Sequence, residues 1–364
     1  MRATAMVLTG FNQPLQMQQI DIPALQSGQA LLALEAAGVC GSDVHMLRGE
    51  DPRTPLPIIL GHEGVGRIAD LKGRLTYLSG EPVRVGDRVA FNRGLPCGRC
   101  YWCRVAMQPA LCPERGVYGI NLGREQAPYL NGCYATHLIL RTGTDLFHLD
   151  EADDPAALVS AACSGATAAH CLDVAPIAPG DTVVVQGPGP LGAWAAALAR
   201  QAGAGRVMVI GGSANRLALC GQMGATDLLN RRELSQPQRR ERVLAANHGR
   251  GADVVIEATG SASAVSEGLS LVRRGGAYVT CGFSQPAGEA PVDFFREVVS
   301  RHIRIQGVWV SDARHMQRAL DLGRDMQGQL AMLADLKVPL ERADEGLAAM
   351  AERRAQKAVI VFDP

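Results

Sequence analysis

Four of the chain's ten cysteines, Cys97, Cys100, Cys103 and Cys112, fall in one short segment, CGRCYWCRVAMQPALC, spaced C-x2-C-x2-C-x8-C. Thiolates this close in sequence can converge on one tetrahedral ion at little cost in chain entropy, and an all-cysteine shell leaves no open position for substrate. The cluster predicts a structural metal site, with zinc favoured over an iron–sulfur group. Cys40 in GVCGSDVH and His62 in GHEGVG each end a strand-like run, where loops carry function. Alone, a cysteine is most often a small buried hydrophobe and a histidine a satisfied core or surface residue. Together with Cys163 they make two cysteines and one histidine, a recognised ligand set for a catalytic zinc with its fourth position open. Cys133, Cys171, Cys220 and Cys281 read as buried thiols, and the N-terminal residues carry no secretion-type apolar core, so disulfides are not expected.

A second constellation is Gly187-Pro188-Gly189-Pro190-Leu191-Gly192, which fits GxGxxG between a strand-like and a helix-like run. The first glycine suits a tight turn, the second lets the backbone approach a pyrophosphate, and the third lets helix and strand pack closely. The phosphates would sit at the helix N-terminus, where free N–H groups and the helix dipole favour an anion. An acid that binds the adenosine ribose is expected near Gly211 in RVMVIGGSANR, and none is there. Gly211, Ser213 and Arg216 offer instead room and a cation for a 2′-phosphate, which leans the prediction toward NADP(H) or dual use. A helix-capping Ser213 and a solvated Arg216 are the alternative, and both can hold at once.

The elements that must position these groups change texture along the chain. Up to about residue 164, short β-type runs such as GQALLALEAAGV, GHEGVGRIADL, VRVGDRVAF and GCYATHLIL alternate with Gly, Pro and Asp, which suggests a partly barrel-like β domain. CSGATAAHCLDVA then reads as a helix, DTVVVQG as a strand buried on both faces, and PLGAWAAALARQAG as a helix ended by Gly203. RVMVIGG, SANRLALCGQMG, ADVVIEATG and GAYVTCGF continue the alternation, which argues for βαβ units in a doubly wound parallel sheet. A long helix is expected around Ser311 to Leu333, followed by a strand at KAVIVF. The predicted division is 1–164, 165–307, and a return of 308–364 to the first domain. At 364 residues with Lys+Arg 36 against Asp+Glu 36, the chain is long enough for two domains and has no charge excess to suggest nucleic acid. No apolar run reaches membrane-span length, so a cytoplasmic protein with a small-molecule partner is expected.

Cys40-Gly41-Ser42-Asp43-Val44-His45, Gly61-His62-Glu63-Gly64-Val65-Gly66, the cysteine cluster, Cys163 through Thr167 and the loop at Gly187 stand in the order and near the spacing of a known family. Over essentially its whole length the chain resembles the zinc-dependent medium-chain dehydrogenases/reductases, the alcohol dehydrogenase superfamily. The gap before Cys112 is one residue longer than the family's commonest form. The resemblance implies an α/β fold, with a GroES-like β catalytic domain holding both zinc sites and a Rossmann cofactor domain. It implies reversible hydride transfer between an alcohol and NAD(P)+ to give an aldehyde or ketone. Cys40, His62 and Cys163 would hold the catalytic zinc, with Glu63 as a transient ligand, and Ser42 and His45 would relay the proton. Thr167 would contact the nicotinamide and Lys357 a cofactor phosphate. A homodimer or homotetramer is implied, with GGAYVTCGF and IRIQGVWV as candidate sheet edges.

Four residues before the first clustered cysteine, where the family lines its substrate pocket, stands Arg93. A cation there would suit a polar or anionic alcohol. The alternatives are that Arg93 turns outward or pairs with Glu114 or Glu125. Two insertion-like stretches, LKGRLTYLSGEPV and ERGVYGINLGREQAPYLNG, are candidates for shaping specificity. A zinc-free quinone or enoyl reductase would lack the ligand set, and a protein keeping only the fold for binding would have lost the relay or the glycine loop. Cys40, His62, Cys163, Ser42, His45 and GPGPLG argue against both.

Overall fold

Continuous apolar runs become central strands, because a strand covered on both faces has no side left for polar residues. Thr182–Gln186 is buried along its whole length and lies inside a six-stranded sheet. The order is Asp227–Asn230, Arg206–Gly211, Thr182–Gln186, Ala252–Glu257, Val272–Thr280, Arg304–Gly307, and every pairing is parallel. The winding reverses between Thr182–Gln186 and Ala252–Glu257, the place where open α/β sheets bind ligands at the carboxyl ends of their strands. Val184, Met208, Val255, Leu269 and Tyr278 are among its buried core residues. GGAYVTCGF, expected as a possible edge, is interior, since Arg304–Gly307 adds outside it. That outer strand is exposed at every residue.

This computed structural model describes residues 1–362. The chain forms two compact units, one of Ser164–Val310 and one of Met1–Cys163 with the segment from Ser311 onward. In the latter, a seven-stranded sheet is built around the long strand Gln29–Val39, which pairs antiparallel with Gly64–Lys72, His137–Leu140 and Ala358–Val361. Register shifts at Leu31/Leu32 and Leu34/Ala36 interrupt the ladder, and such bulges bend a sheet. A three-stranded sheet, Gln16–Asp21, Arg2–Leu8 and Ile58–Ile59, shares the same core, which includes Leu8, Leu32, Ile59, Phe91, Leu138 and Ile360.

The expected long helix from Ser311 is two helices, Ala313–Asp325 and Gln327–Leu333, parted at Met326 (φ −120°, ψ 23°). Gln327 explains the break: its side chain accepts from the Asp154 backbone N–H at 2.7 Å and donates to Asp153 Oδ1 at 3.1 Å, which holds the chain against that turn. Among the described residues no single helix is long and apolar enough to cross a bilayer.

Candidate metal centres and dinucleotide loop

Strand register assembles the first centre. Gly64 pairs with Ala37 and Ala358 with Val39, so the residues just before Gly64 and just before Ala358 meet at the end of Gln29–Val39, where Cys40 begins a helix. Cys163, after the short helical turn Val159–Ala162, completes the group. Ligand atoms of Cys40, His62, Glu63 and Cys163 all lie within 4.8 Å of one another. Two sulfurs bound tetrahedrally to zinc at about 2.3 Å should stand about 3.8 Å apart, and Cys40 Sγ and Cys163 Sγ are 3.9 Å apart. His62 Nδ1 stands at ion-pair distance, 3.3 Å, from Asp43 Oδ1, which leaves Nε2 as the nitrogen for a metal. Asp43 is fully buried and fixed, accepting from the Cys40 backbone N–H at 2.7 Å.

The electrostatics suit a cation. A hydrogen bond from Cys163, aided by His62 and Lys357, outweighs burial and lowers the Cys40 thiol well below its ordinary value. Burial pulls the His62 imidazole down, but Asp43 and then Cys40 outweigh it and raise it to about 9. A divalent ion can replace that proton and pair with the thiolate.

Cys97, Cys100, Cys103 and Cys112 form the second centre, again with all four sulfurs within 4.8 Å. Cys100 Sγ and Cys103 Sγ are 3.6 Å apart, Cys100 at the N-cap of the short helix Tyr101–Arg104 and Cys103 within it. The Cys97 backbone N–H donates to Cys112 Sγ at 3.3 Å, and the longer last gap is taken up by the turn Pro109–Leu111. Donor set and spacing both fit a closed tetrahedral zinc site.

The glycine loop joins Thr182–Gln186 to the helix Pro190–Gln201. Gly187 has φ +108°, a conformation that side chains disfavour. A Cβ on Gly192 would lie 1.8 Å from the Gly187 carbonyl oxygen, whereas one on Gly189 would meet nothing within 4 Å. So Gly192 permits close packing, and Gly189, at the helix N-cap, leaves open space before the N-terminus, where a phosphate fits. Across the switch point, buried Glu257 accepts from the Thr259 and Gly260 backbone N–H groups at 2.6 and 2.8 Å and sets the neighbouring loop.

Residues 26–151 match the family model of the alcohol dehydrogenase GroES-like domain, and residues 190–325 that of the zinc-binding dehydrogenases. A 5-exo-hydroxycamphor dehydrogenase of Pseudomonas putida is 34% identical over 327 residues, which covers 89% of this chain and 88% of that protein. The chain belongs to the zinc-dependent alcohol dehydrogenase family. This dehydrogenase also resembles the crystal structure of an alcohol dehydrogenase from Thermotoga maritima, at 45% identity and TM-score 0.97 over 100% of both chains. A zinc-binding dehydrogenase from Sinorhizobium meliloti, solved with NADP, shares 25% identity at TM-score 0.87 over 100% of both chains.

Within this dehydrogenase, Ser42 and His45 share the helix Gly41–Leu47. Ser42 Oγ lies 3.8 Å from Cys40 Sγ, and His45 Nδ1 is 2.5 Å from Glu50 Oε2. Thr167 is buried on the helix Ser164–Val174. Gly211 ends its strand, Ser213 stands at the N-cap of Ala214–Gln222 without a side-chain capping bond, and Arg216 lies in that helix's first turn. Lys357 is not where the resemblance implies. It is 1% exposed, and its Nζ lies 2.6 Å from Glu63 Oε2, so its charge is committed beneath the first metal centre and not to a cofactor phosphate. Burial pulls the Lys357 ammonium down, but Glu63 and the Cys40 and Cys163 sulfurs outweigh it and hold it above its ordinary value. Nor does Arg93 turn outward or pair with Glu114, which binds Arg99 at 2.6 Å. It is 3% exposed, and its Nη1 donates to the Ala162 carbonyl at 3.0 Å. Asp43, Glu50 and Glu257 are functional candidates that sequence reasoning missed. Only Asp43 left a signal, as the acid three residues after an N-cap in CGSD.

Proposed function

We propose that the protein is a zinc- and NAD(P)-dependent dehydrogenase that interconverts an alcohol and an aldehyde or ketone. The observation that carries this reading is the Cys40–His62–Cys163 group, two sulfurs at tetrahedral spacing and an imidazole within 4.8 Å of them beside a buried carboxylate. A second zinc in the four-cysteine cluster would be structural. Cys40, His62 and Cys163 would hold a zinc that would supply Lewis acidity to the substrate hydroxyl, and the glycine loop a nicotinamide that would serve as hydride acceptor for the carbon bearing that hydroxyl. Ser42, beside Cys40, takes the hydroxyl proton, and His45, a turn further along the helix and held by Glu50, passes it to solvent. Glu63 lies close enough to the other ligand atoms to serve as a transient ligand, and Lys357 holds its carboxylate ready. Gly187, Gly189, Pro190, Leu191 and Gly192 would cradle the pyrophosphate, and Thr167 would meet the nicotinamide.

NADP(H) is favoured over NAD(H). No carboxylate ends the strand Arg206–Gly211. A Cβ on Gly212 would lie 2.9 Å from Arg231 Nε and 3.6 Å from Arg232 Nε, so guanidinium groups flank the place a ribose acid would occupy. A homo-oligomer is supported by the exposed edge strand Arg304–Gly307, which carries Ile305, and by Phe294, Phe295 and Val299 exposed just before it. The test is a panel of alcohols and carbonyls assayed with NAD+/NADH and NADP+/NADPH in parallel on zinc-loaded protein. Turnover of alcohols with a lower KM for the phosphorylated cofactor is expected. Reduction of quinones or enones alone, with no alcohol oxidised, would overturn the reading.

A further inference from the structure

We propose that Arg93 and Arg115 form an anion site beside the Cys40–His62–Cys163 centre, and that the substrate carries an oxyanionic group, carboxylate or phosphoryl, which they hold. This rests on the dehydrogenase reading and adds the substrate's chemical class to it.

Arg93 reaches the metal centre from below its third ligand. Its Nη1 is tied to the carbonyl of Ala162, the residue before Cys163, and its charge acts on the Cys163 thiol. Nε is buried with no hydrogen-bond partner. Nη1 is the only guanidinium nitrogen of Arg93 with a partner among the described residues. The side-on Nε/Nη2 edge thus carries no protein partner, and it is the edge that takes both oxygens of a carboxylate or two of a phosphoryl group.

Arg115 comes from the insertion-like stretch after the cysteine cluster. Its guanidinium lies against Gly94, the residue after Arg93, where a Cβ would come within 1.9 Å of Nη2, so the missing side chain leaves room for Arg115 there. Arg115 Nη2 donates to the Ser311 carbonyl at 2.9 Å. Burial, joined by the charge of Arg93, pulls the Arg115 guanidinium down to about 10 against the pull of Asp312.

Asp51 and Asp312 are engaged with other cationic side chains. Asp51 is taken by Arg53 in a two-pronged contact at 2.9 and 2.6 Å. Asp312 lies 2.8 Å from His315 Nδ1 and 3.4 Å from Arg314 Nε. Among the described residues no carboxylate stands within ion-pair distance of Arg93. A buried guanidinium with an unmatched N–H is unfavourable unless an anion meets it. An alcohol whose hydroxyl carbon sits at the metal and whose oxyanion lies a few bonds away supplies that anion.

The test uses zinc-loaded protein, with wild type, Arg93→Gln, Arg93→Lys and Arg115→Gln compared on pairs of alcohols of one skeleton, one bearing a carboxylate or phosphate and the other its neutral amide or methyl counterpart. Wild type should favour the anionic member. In Arg93→Gln the loss of kcat/KM on the anionic member should exceed that on its neutral twin by about 30- to 100-fold, as for a lost charged two-pronged contact. Arg115→Gln should show a smaller gap, about tenfold, and Arg93→Lys an intermediate one. Binding is read independently as thermal stabilisation by inorganic phosphate and by acetate, expected in wild type and reduced in both Gln variants. Equal losses on both members of each pair would mean that Arg93 only positions Cys163, and would overturn the proposal. So would equal stabilisation of wild type and variants by both anions. If no alcohol is oxidised while phosphate still distinguishes wild type from the variants, the dehydrogenase reading falls and the anion site stands.

Discussion

Replacing Lys357 by Met tests whether a buried ion pair underlies the first metal centre. Lys357 is 1% and Glu63 0% exposed, and their charged atoms are 2.6 Å apart. The glycine at position 38 makes the contact possible, because a Cβ there would fall 2.1 Å from Glu63 Oε2. Removing one partner of a fully buried pair costs roughly 3–5 kcal/mol, since the other charge is left without compensation. Burial pushes the Glu63 carboxyl up, so protonation relieves part of that cost and the lower end of the range is expected. At roughly 2–4 °C per kcal/mol for a unit of this size, the transition should fall by about 6–15 °C. Adding Glu63→Gln to Lys357→Met removes the stranded charge and should recover more than half of the loss, a favourable coupling in a double-mutant cycle. Calorimetry at fixed free zinc, with metal content measured on each variant, is the assay. A loss below about 1 kcal/mol for Lys357→Met, or a double variant as unstable as the sum of the singles, would refute the reasoning.

Cys100→Ser should lower the zinc content by about one ion per chain and the melting temperature by several degrees, because a closed metal site contributes its binding energy to folding; an unchanged zinc count by atomic emission would exclude a zinc there. Arg231→Gln combined with Arg232→Gln should raise the KM for NADPH by about 10- to 100-fold and leave that for NADH within about threefold, as for lost phosphate contacts. Steady-state kinetics with both cofactors decides it, and an equal change in both would refute the assignment. Ile305→Lys, which places a charge on the exposed edge strand, should shift the oligomer toward monomer in sedimentation, and an unaltered mass would move the interface elsewhere.

What could be read beforehand was local. Cys97 to Cys112 converge within one loop, and the Gly187 loop lies between a strand and a helix contiguous with it, so spacing alone exposes both. Cys40, His62 and Cys163 were legible as a ligand set, but not the geometry of their meeting, which depends on how Gly64–Lys72 and Ala358–Val361 register against Gln29–Val39. Lys357 was misplaced for the same reason: it sits one residue before Ala358, which pairs with Val39, and that register delivers its ammonium to Glu63 rather than outward. The placement of Arg115 against Gly94 left no trace in sequence, since nothing in either residue's neighbours marks the other. The break at Met326 was hidden as well, being set by Gln327 binding Asp153 and Asp154 far back in the chain.

The central claim is that Cys40, His62 and Cys163 hold a zinc distinct from the one in the four-cysteine cluster. Zinc stoichiometry on purified wild type and Cys40→Ser tests it most directly. About two ions per chain in wild type and about one in Cys40→Ser, with the ability to reduce NADP+ lost in the variant, is the result expected from one open and one closed site. An equal zinc count in the two proteins, or none in wild type, would contradict it.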